Sequence, residues 1–395
     1  MMSTWINLLL LLIAIPPAVV CLYLGLLTLL SARLPRPQPA HRRLRFDILV
    51  PAHNEAAVIK RTIASLRKID WPSDGFRILV IADNCTDNTA DLARDAGATV
   101  IERHDAVRRG KGYAVEAGIA HSARGGRADA MVFIDADTVV TPNLLSACAA
   151  RIEAGAEAMQ VHYGVLNPND SWRTRLVTMA YGASHAVRSR ARERMGASCG
   201  LRGNGMCLTH ALLKRHPFQV YSMTEDLEYG IQLGLNGVRV HYIDEASADA
   251  ELVSSGSASA SQRQRWEGGR LMVARAYTGR LLKAAWQKRS GVCLELAMDL
   301  ITLPLGYLAL QIGVLLVACL AVAVFWPVGL LWLALPVLML LIIMIHVFRG
   351  WQLSPLGPQA LLDLFRVPFF IAWKLFVMLR HRGNKAWVKT KRNAP

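Results

Sequence analysis

The chain has 395 residues, 53% of them hydrophobic, so one ordinary soluble domain would leave much of it over. Lys and Arg outnumber Asp and Glu, 45 to 29, for a formal charge of +16. The excess crowds beside apolar segments, which argues against a nucleic-acid binder and for a chain that meets membrane lipid.

In chain order, Ile6 to Leu30 is almost uncharged and reaches the roughly 20 residues a helix needs to cross a bilayer. A cleaved leader would want a basic start, and Met1 to Asn7 carries no basic residue. Residues 1–32 are therefore expected to be an N-terminal transmembrane helix, followed at 33–45 by a basic linker with Arg33, Arg36, Arg42, Arg43 and Arg45.

Phe46 to Pro51 is a short apolar run ending in Pro, and Asn54-Glu55 opens a helical stretch through Leu66. The pattern repeats with a strand Phe76 to Ala82 leading into Asp83 and a helix Thr86 to Ala96. Then come a strand Thr99 to Glu102, a helix Gly110 to Ser122 and a buried strand Met131 to Ile134 ending at Asp135. Such alternation predicts a parallel sheet, with ligands outside the carboxyl ends of its strands. Pro51 to Glu55, Asp83 and Asp135 to Asp137 all fall at such ends and can share one cleft.

From Gln160 the alternation gives way to longer helical and irregular stretches, with a Gly-rich turn at Gly200 to Gly205 and a flexible Ser/Ala run at Ser254 to Ser261. This α/β domain is placed at 46–260, and residues 261–290 hold an amphipathic basic helix lying in the membrane surface. Two further spans with a very tight connection are expected within 293–347, the first starting late or kinked by Pro304. Residues 348–395 supply an interfacial helix, Leu361 to Leu379, and a basic tail with Lys385, Lys389, Lys391 and Arg392. Basic residues beside the spans put the middle domain and the C-terminus in the cytosol, and three spans satisfy that arrangement.

Asp135-Ala136-Asp137 after a buried strand is a natural site for Mg2+ or Mn2+, which prefer carboxylate oxygen; an acidic pair there also makes turns and caps. Asp83 opens a polar loop with Asn84, Thr86, Asp87 and Asn88, where Thr86-Asp87 suits a helix cap and Asp83 suits a ligand. Thr224 could cap a helix, and the carboxylates after it could act as a general base, Asp226 first and Glu225 second. In Gln262-Arg263-Gln264-Arg265-Trp266, Arg265 could stabilise a departing diphosphate and Trp266 could face a sugar ring, or both could anchor the domain to lipid. Lys111, between Gly110 and Gly112, could approach phosphate closely. The seven cysteines form no CxxC pair, and His53, His104 and His241 show no ligand spacing.

Taken in order, Pro51 to Glu55, Ala82 to Asp87, Gly110-Lys111-Gly112, Asp135 to Asp137, Thr224 to Asp226 and Gln262 to Trp266 resemble glycosyltransferase family 2. They look most like its membrane-embedded branch, which includes cellulose, chitin and hyaluronan synthases. The resemblance implies an α/β GT-A (Rossmann-like) cytosolic domain with α-helical transmembrane and interfacial segments, in a multi-pass protein of the cell membrane. It implies an inverting transfer from a nucleotide sugar, a UDP-sugar, to a saccharide or lipid-linked acceptor, serving cell-surface or secreted polysaccharide synthesis. Polysaccharide-export partners or a homo-oligomer stay open.

By the same resemblance Pro51, Glu55, Asp83, Lys111, Asp135, Asp137 and Arg265 hold the donor and Asp137 holds Mg2+ or Mn2+. Asp226 is the base, while Glu225, Gln262 and Trp266 meet the acceptor. Two positions depart from the family pattern. A single acidic residue stands at Ala82-Asp83, where many members have a pair, and Cys199 to Gly205 replaces the segment that would meet the acceptor, leaving polymer against single addition open.

Overall fold

The computed structural model describes residues 2–252, 256–326 and 328–369, and the side chains of residues 2–3, 256–265 and 328–329 lie outside that description. Its contacts divide the chain into two compact units. Among the described residues, one comprises 33–170 and 193–297, and the other 2–32, 171–192 and 298–369.

The first unit is built on an eight-stranded sheet of β1 (Phe46–Ala52), β2 (Phe76–Asp83), β3 (Thr99–Arg103), β4 (Ala130–Phe133), β5 (Thr138–Val140), β6 (Ala158–Val165), β7 (Met206–Thr209) and β8 (Val240–Ala250), in spatial order β3-β2-β1-β4-β7-β6-β8-β5. The runs FDILVPA and FRILVIAD are buried almost end to end, as strands covered on both faces must be. β1, β2, β3 and β4 run parallel, with Pro51 opposite Ile81. One face of the sheet packs against helices Ile59–Leu66 and Leu144–Glu153, the other against Lys111–Gly125 and Glu225–Leu235. The order reverses beside β1, with β2 on one side and β4 on the other, and a crevice of that kind opens outside the strand ends.

The expectation of a parallel sheet holds for that half and for the pairing of β6 with β8. β7 runs antiparallel to both β4 and β6, and β5 antiparallel to β8, so the sheet is mixed. The expectation of helical and irregular chain after Gln160 is also overturned, since β6, β7 and β8 fall there. Two helices start later than the sequence pattern suggests, at Ile59 and Thr89, because Asn54 and Asn84 turn left-handed at φ 55° and 50° just past β1 and β2. Of the run expected to be flexible, residues 256–261 belong to a helix Gly256–Lys288, and residues 254–255 lie outside the described residues.

Among the described residues, the second unit holds three helices long and apolar enough to cross a membrane, Thr4–Leu29, Leu305–Phe325 and Leu330–Gln352. They pack through Leu10, Ala14, Leu24, Leu308, Ile312, Leu315 and Met339. Outward they expose Leu9, Leu12, Leu22, Val317 and Met344, which suits lipid. Trp332 Nε1 donates to Asn7 Oδ1 at 2.9 Å, and Arg349 Nε donates to Ser31 Oγ at 3.0 Å. Those two bonds make the first and last of these helices parallel. The first half of the expected interfacial helix is a short turn of helix Gln359–Leu362 and a 3-10 turn Asp363–Arg366, with Asp363 bound by Arg175 and Arg366; residues 370–379 and the basic tail lie outside the described residues.

Residues 171–192, inserted between β6 and β7, belong to this unit and include a π-helical turn Gly182–Val187. Gly182 and Gly350 approach so closely that a Cβ on Gly182 would meet the Gly350 carbonyl, and one on Gly350 would meet the Ala183 backbone. Arg192 then donates to Asp299 at 2.6 Å and to the Tyr23 hydroxyl at 3.0 Å. Gly350→Leu is expected to lower stability by about 1–3 kcal/mol through overpacking. The detergent-solubilised protein should show it as a lowered thermal midpoint, and an unchanged midpoint would contradict the contact.

Candidate active site

The carboxyl ends of β1, β2 and β3 are stitched together by the two left-handed asparagines. Asn54 Oδ1 accepts from the Thr86 amide at 2.7 Å, and Asn84 Oδ1 from the Asp105 amide at 2.9 Å. Asn84 therefore serves the loop. Asp87 Oδ1 accepts from the Thr89 amide at 3.0 Å, a turn bond just ahead of the helix, whose N-cap position is Asn88 with no side-chain cap, in place of the cap expected of Thr86-Asp87. The Glu55 amide donates to Thr89 Oγ1 at 2.8 Å, which places Glu55 beside the same loop, and His53 Nδ1 lies 2.7 Å from the Asp83 carbonyl.

Asp83 is almost fully buried, and its Oδ1 receives Arg103 Nη1 at 2.5 Å. The sequence reading missed Arg103. It ends β3, reaches Asp105 and the Arg108 carbonyl with its other nitrogen, and lies 5.8 Å from the centroid of the Tyr113 ring. An arginine whose partner is twenty residues away leaves no local signal.

Lys111 is the first residue of the helix Lys111–Gly125 and follows Gly110 at φ 127°. Its Nζ meets Asp135 Oδ1 at 2.5 Å. A Cβ on Gly203 would stand 3.1 Å from both Lys111 Nζ and Asp226 Oδ2, so lysine and carboxylate share one corner of the cleft. Gly203 and Gly205 adopt φ 74° and 75°, which L side chains rarely adopt. Between them buried Asn204 accepts from the Asp135 amide at 3.1 Å. Gln160 holds that loop from β6, donating to the Asn204 carbonyl at 2.7 Å and accepting from the Arg202 amide at 2.9 Å. The segment that departs from the family pattern thus lines the carboxylate site.

Glu225 and Asp226 open the helix Glu225–Leu235. Thr224 stands at its N-cap position, but its hydroxyl makes no capping bond, so the expected cap is absent. Instead the Thr224 side chain fills the space a Cβ on Gly269 would take. That contact brings the helix Gly256–Lys288 to the acidic pair, with exposed Trp266 one turn before it. Tyr277 of the same helix donates to Glu228 at 2.8 Å. Gln262 and Arg265 belong to this helix, with side chains outside the described ones.

Buried Asp137 immediately precedes β5, and Thr62 Oγ1 donates to the intervening Ala136 carbonyl at 2.7 Å. No group of three or more His, Cys, Asp or Glu is gathered for a metal among the described residues. The strand end offers an oxygen-only pair, Asp135 and Asp137. A hard dication held by one or two carboxylates completes its shell with phosphate and water, so this donor set fits Mg2+ or Mn2+ taken up together with a diphosphate. The structure thus gathers Lys111, Asp135, Glu225 and Asp226 around one corner, with Asp137 at the same strand end.

Charge in the corner is shared. Burial opposes the Lys111 charge, but Asp135, Glu225 and Asp226 outweigh it and hold its pKa above the usual lysine value. Burial lifts the Glu225 carboxyl from 4.5 to about 7, against the pull of Lys111 and with help from Asp226. Asp226 is raised as well, again by burial against Lys111. Because the folded chain keeps the Glu225 proton to higher pH than the unfolded chain, stability should fall as pH rises from 4.5 to about 7. Glu225→Gln is expected to flatten that fall in thermal unfolding of the ligand-free protein, and an unaltered slope would refute the raised carboxyl.

A family model described as glycosyltransferase like family 2 matches residues 43–269, more than half of the chain. A probable glycosyltransferase of Bacillus subtilis, YdaM, is 22% identical over 88% of this chain and 87% of its own length. Glucomannan 4-beta-mannosyltransferase 7 of Arabidopsis thaliana is 23% identical over 61% of this chain. Beta-monoglucosyldiacylglycerol synthase of Synechocystis is 27% identical over 56%. The chain spans about half the length of these last two, 46% and 47%. Among solved structures, the mannosyltransferase PcManGT from Pyrobaculum calidifontis, in complex with GDP-Man and Mn2+, matches 87% of this chain and 96% of its own at a TM-score of 0.56 and 16% identity, a likeness of fold. The mixed sheet is that of a GT-A domain, and the chain belongs to glycosyltransferase family 2.

Proposed function

We propose that this chain is a membrane-anchored, inverting transferase that moves a sugar from a nucleotide-activated donor, a UDP-sugar, to a hydroxyl of a saccharide acceptor in cell-surface or secreted polysaccharide synthesis. The observation that carries this reading is the corner where Lys111 pairs with Asp135 while Asp226 stands across Gly203. Diphosphate needs a cation, and an acceptor hydroxyl needs a base. One corner supplies both.

In this reading Pro51, Glu55 and Asp83 border the nucleoside, and Lys111 meets the diphosphate as negative charge builds on it. Asp137, with Asp135, would hold Mg2+ or Mn2+, which when bound neutralises part of the leaving-group charge. Asp226 takes the proton of the acceptor hydroxyl while its oxygen bonds to the anomeric carbon. The bond from that carbon to the diphosphate oxygen breaks, the electron pair leaves with the nucleoside diphosphate, and the configuration inverts. Buried Glu225 keeps a second carboxyl beside the base, and Gln262, Arg265 and Trp266 close over diphosphate and acceptor from the helix that touches Thr224.

A second reading, addition of one sugar to a lipid-linked acceptor, draws on one feature. The helix Gly256–Lys288 exposes Leu271, Met272, Leu282 and Trp286 among Arg270, Arg275, Arg280 and Lys283, as a helix lying in a membrane surface does. Lipid would then reach the site beside Trp266. The basic linker and Arg349 at the Ser31 end of the spans favour a cytosolic catalytic domain.

Purified protein incubated with a panel of UDP- and GDP-sugars and Mn2+ or Mg2+ should release nucleoside diphosphate with one of them. Product mass then separates polymer from a single adduct on lipid. Asp137→Asn and Asp226→Asn are each expected to lower transfer at least about a hundredfold without lowering the thermal midpoint. Wild-type turnover by Asp226→Asn would remove it as the base. A chelator should abolish release and added Mn2+ or Mg2+ restore it.

A further inference from the structure

Resting on that reading, we infer that Tyr221 is a positioning residue: clasped onto the first turn of the helix Lys111–Gly125, it holds Glu225 and Asp226 at their working separation from Lys111. Three observations in one short stretch lead there. Gly112, next to Lys111, lies so close to residue 220 that a Cβ on it would collide with the Val220 carbonyl. Tyr113 stacks on Tyr221 with ring centroids 4.2 Å apart and planes 14° from parallel. One turn on, Glu116 accepts from the Tyr221 hydroxyl at 3.0 Å.

The consequence follows from connectivity. Lys111, which meets Asp135, begins the helix; its next two residues and Glu116 grip the chain at 220–221; and Glu225 begins four residues later. Between the grip and the acidic pair lie only Ser222, Met223 and Thr224, the last packed on Gly269. Arg103 lies close to the Tyr113 ring and is bound to Asp83. Contacts therefore run from Asp83 through Arg103 and Tyr113 to Tyr221, the backbone of 222–224 leads on to the carboxylates, and Lys111 meets Asp135 on the return.

Tyr221 is itself 44% exposed, so burial gives it little reason to be held so firmly. An exposed tyrosine fixed by a stacked ring and a hydroxyl bond does its work through the backbone it fixes. Displacing a base by about 1 Å can lower a rate about a hundredfold while donor contacts stay in place.

The test compares donor KM with kcat in the full-length protein, with the active nucleotide sugar of the wild type. Tyr221→Ala is expected to lower kcat about tenfold to a hundredfold with donor KM within about twofold. Tyr221→Phe, which keeps the stack, should recover most of that loss. Gly112→Ala pushes the same loop from its other side and should reproduce the kcat loss if Tyr221→Ala fails to fold. A kcat within about twofold of wild type in both Tyr221→Ala and Gly112→Ala would overturn the inference, as would equal losses in donor KM and kcat. Absence of turnover by the wild type on every donor would instead overturn the proposed function.

Discussion

Everything in the catalytic unit is arranged around the ion pair between Lys111 and Asp135. A lysine at the start of a helix and an aspartate at the end of a strand come together only if that helix lies along the sheet with its amino end at the strands' carboxyl ends. The parallel half of the sheet makes that layout, because each strand must be followed by a crossover before the next. The glycine loop at 203–205 then supplies the close approach that lets Asp226 reach the same corner. Lys111 is held in its charged form by three carboxylates, and the raised Glu225 shows how deeply the corner is withdrawn from water. Such a site is poised for an arriving diphosphate and dication rather than for a neutral ligand.

The mixed half of the sheet has a different task. β6 carries Gln160 to the glycine loop, and β8 flanks β5 just past Asp137. Gln160 thereby braces Arg202 and Asn204, inside the segment Cys199 to Gly205 where the chain departs from the family pattern. Fold and donor chemistry can stay constant while that half varies, which is how one scaffold serves many acceptors.

How much was legible in sequence follows the physics of each element. β1 and β2 read directly because strands buried on both faces are unbroken apolar runs, and the three long apolar helices read directly because each is an almost uncharged run of bilayer length. β6 and β8 did not, since AMQVHYGV and VHYIDEASADA interleave polar residues that serve loops with residues that serve the core. Asp83, Asp135 and Asp226 could be singled out by motif, whereas Arg103, Tyr221 and Gly269 could not, because each acts through a partner distant in sequence. Thr224 was misread as a cap for the same reason: its side chain packs on Gly269. The membership of residues 171–192 in the membrane unit was likewise invisible, since the contact of Gly182 with Gly350 spans much of the chain.

The central claim is that Lys111, Asp135 and Asp137 form the seat of a nucleoside diphosphate. Titrating UDP and GDP into the purified full chain with Mn2+, and repeating the titration with Lys111→Met, addresses it without any acceptor. Binding of one nucleotide that needs the dication and weakens at least about tenfold in Lys111→Met is the predicted result. Equal affinity in wild type and variant, or binding indifferent to Mn2+, would contradict the account.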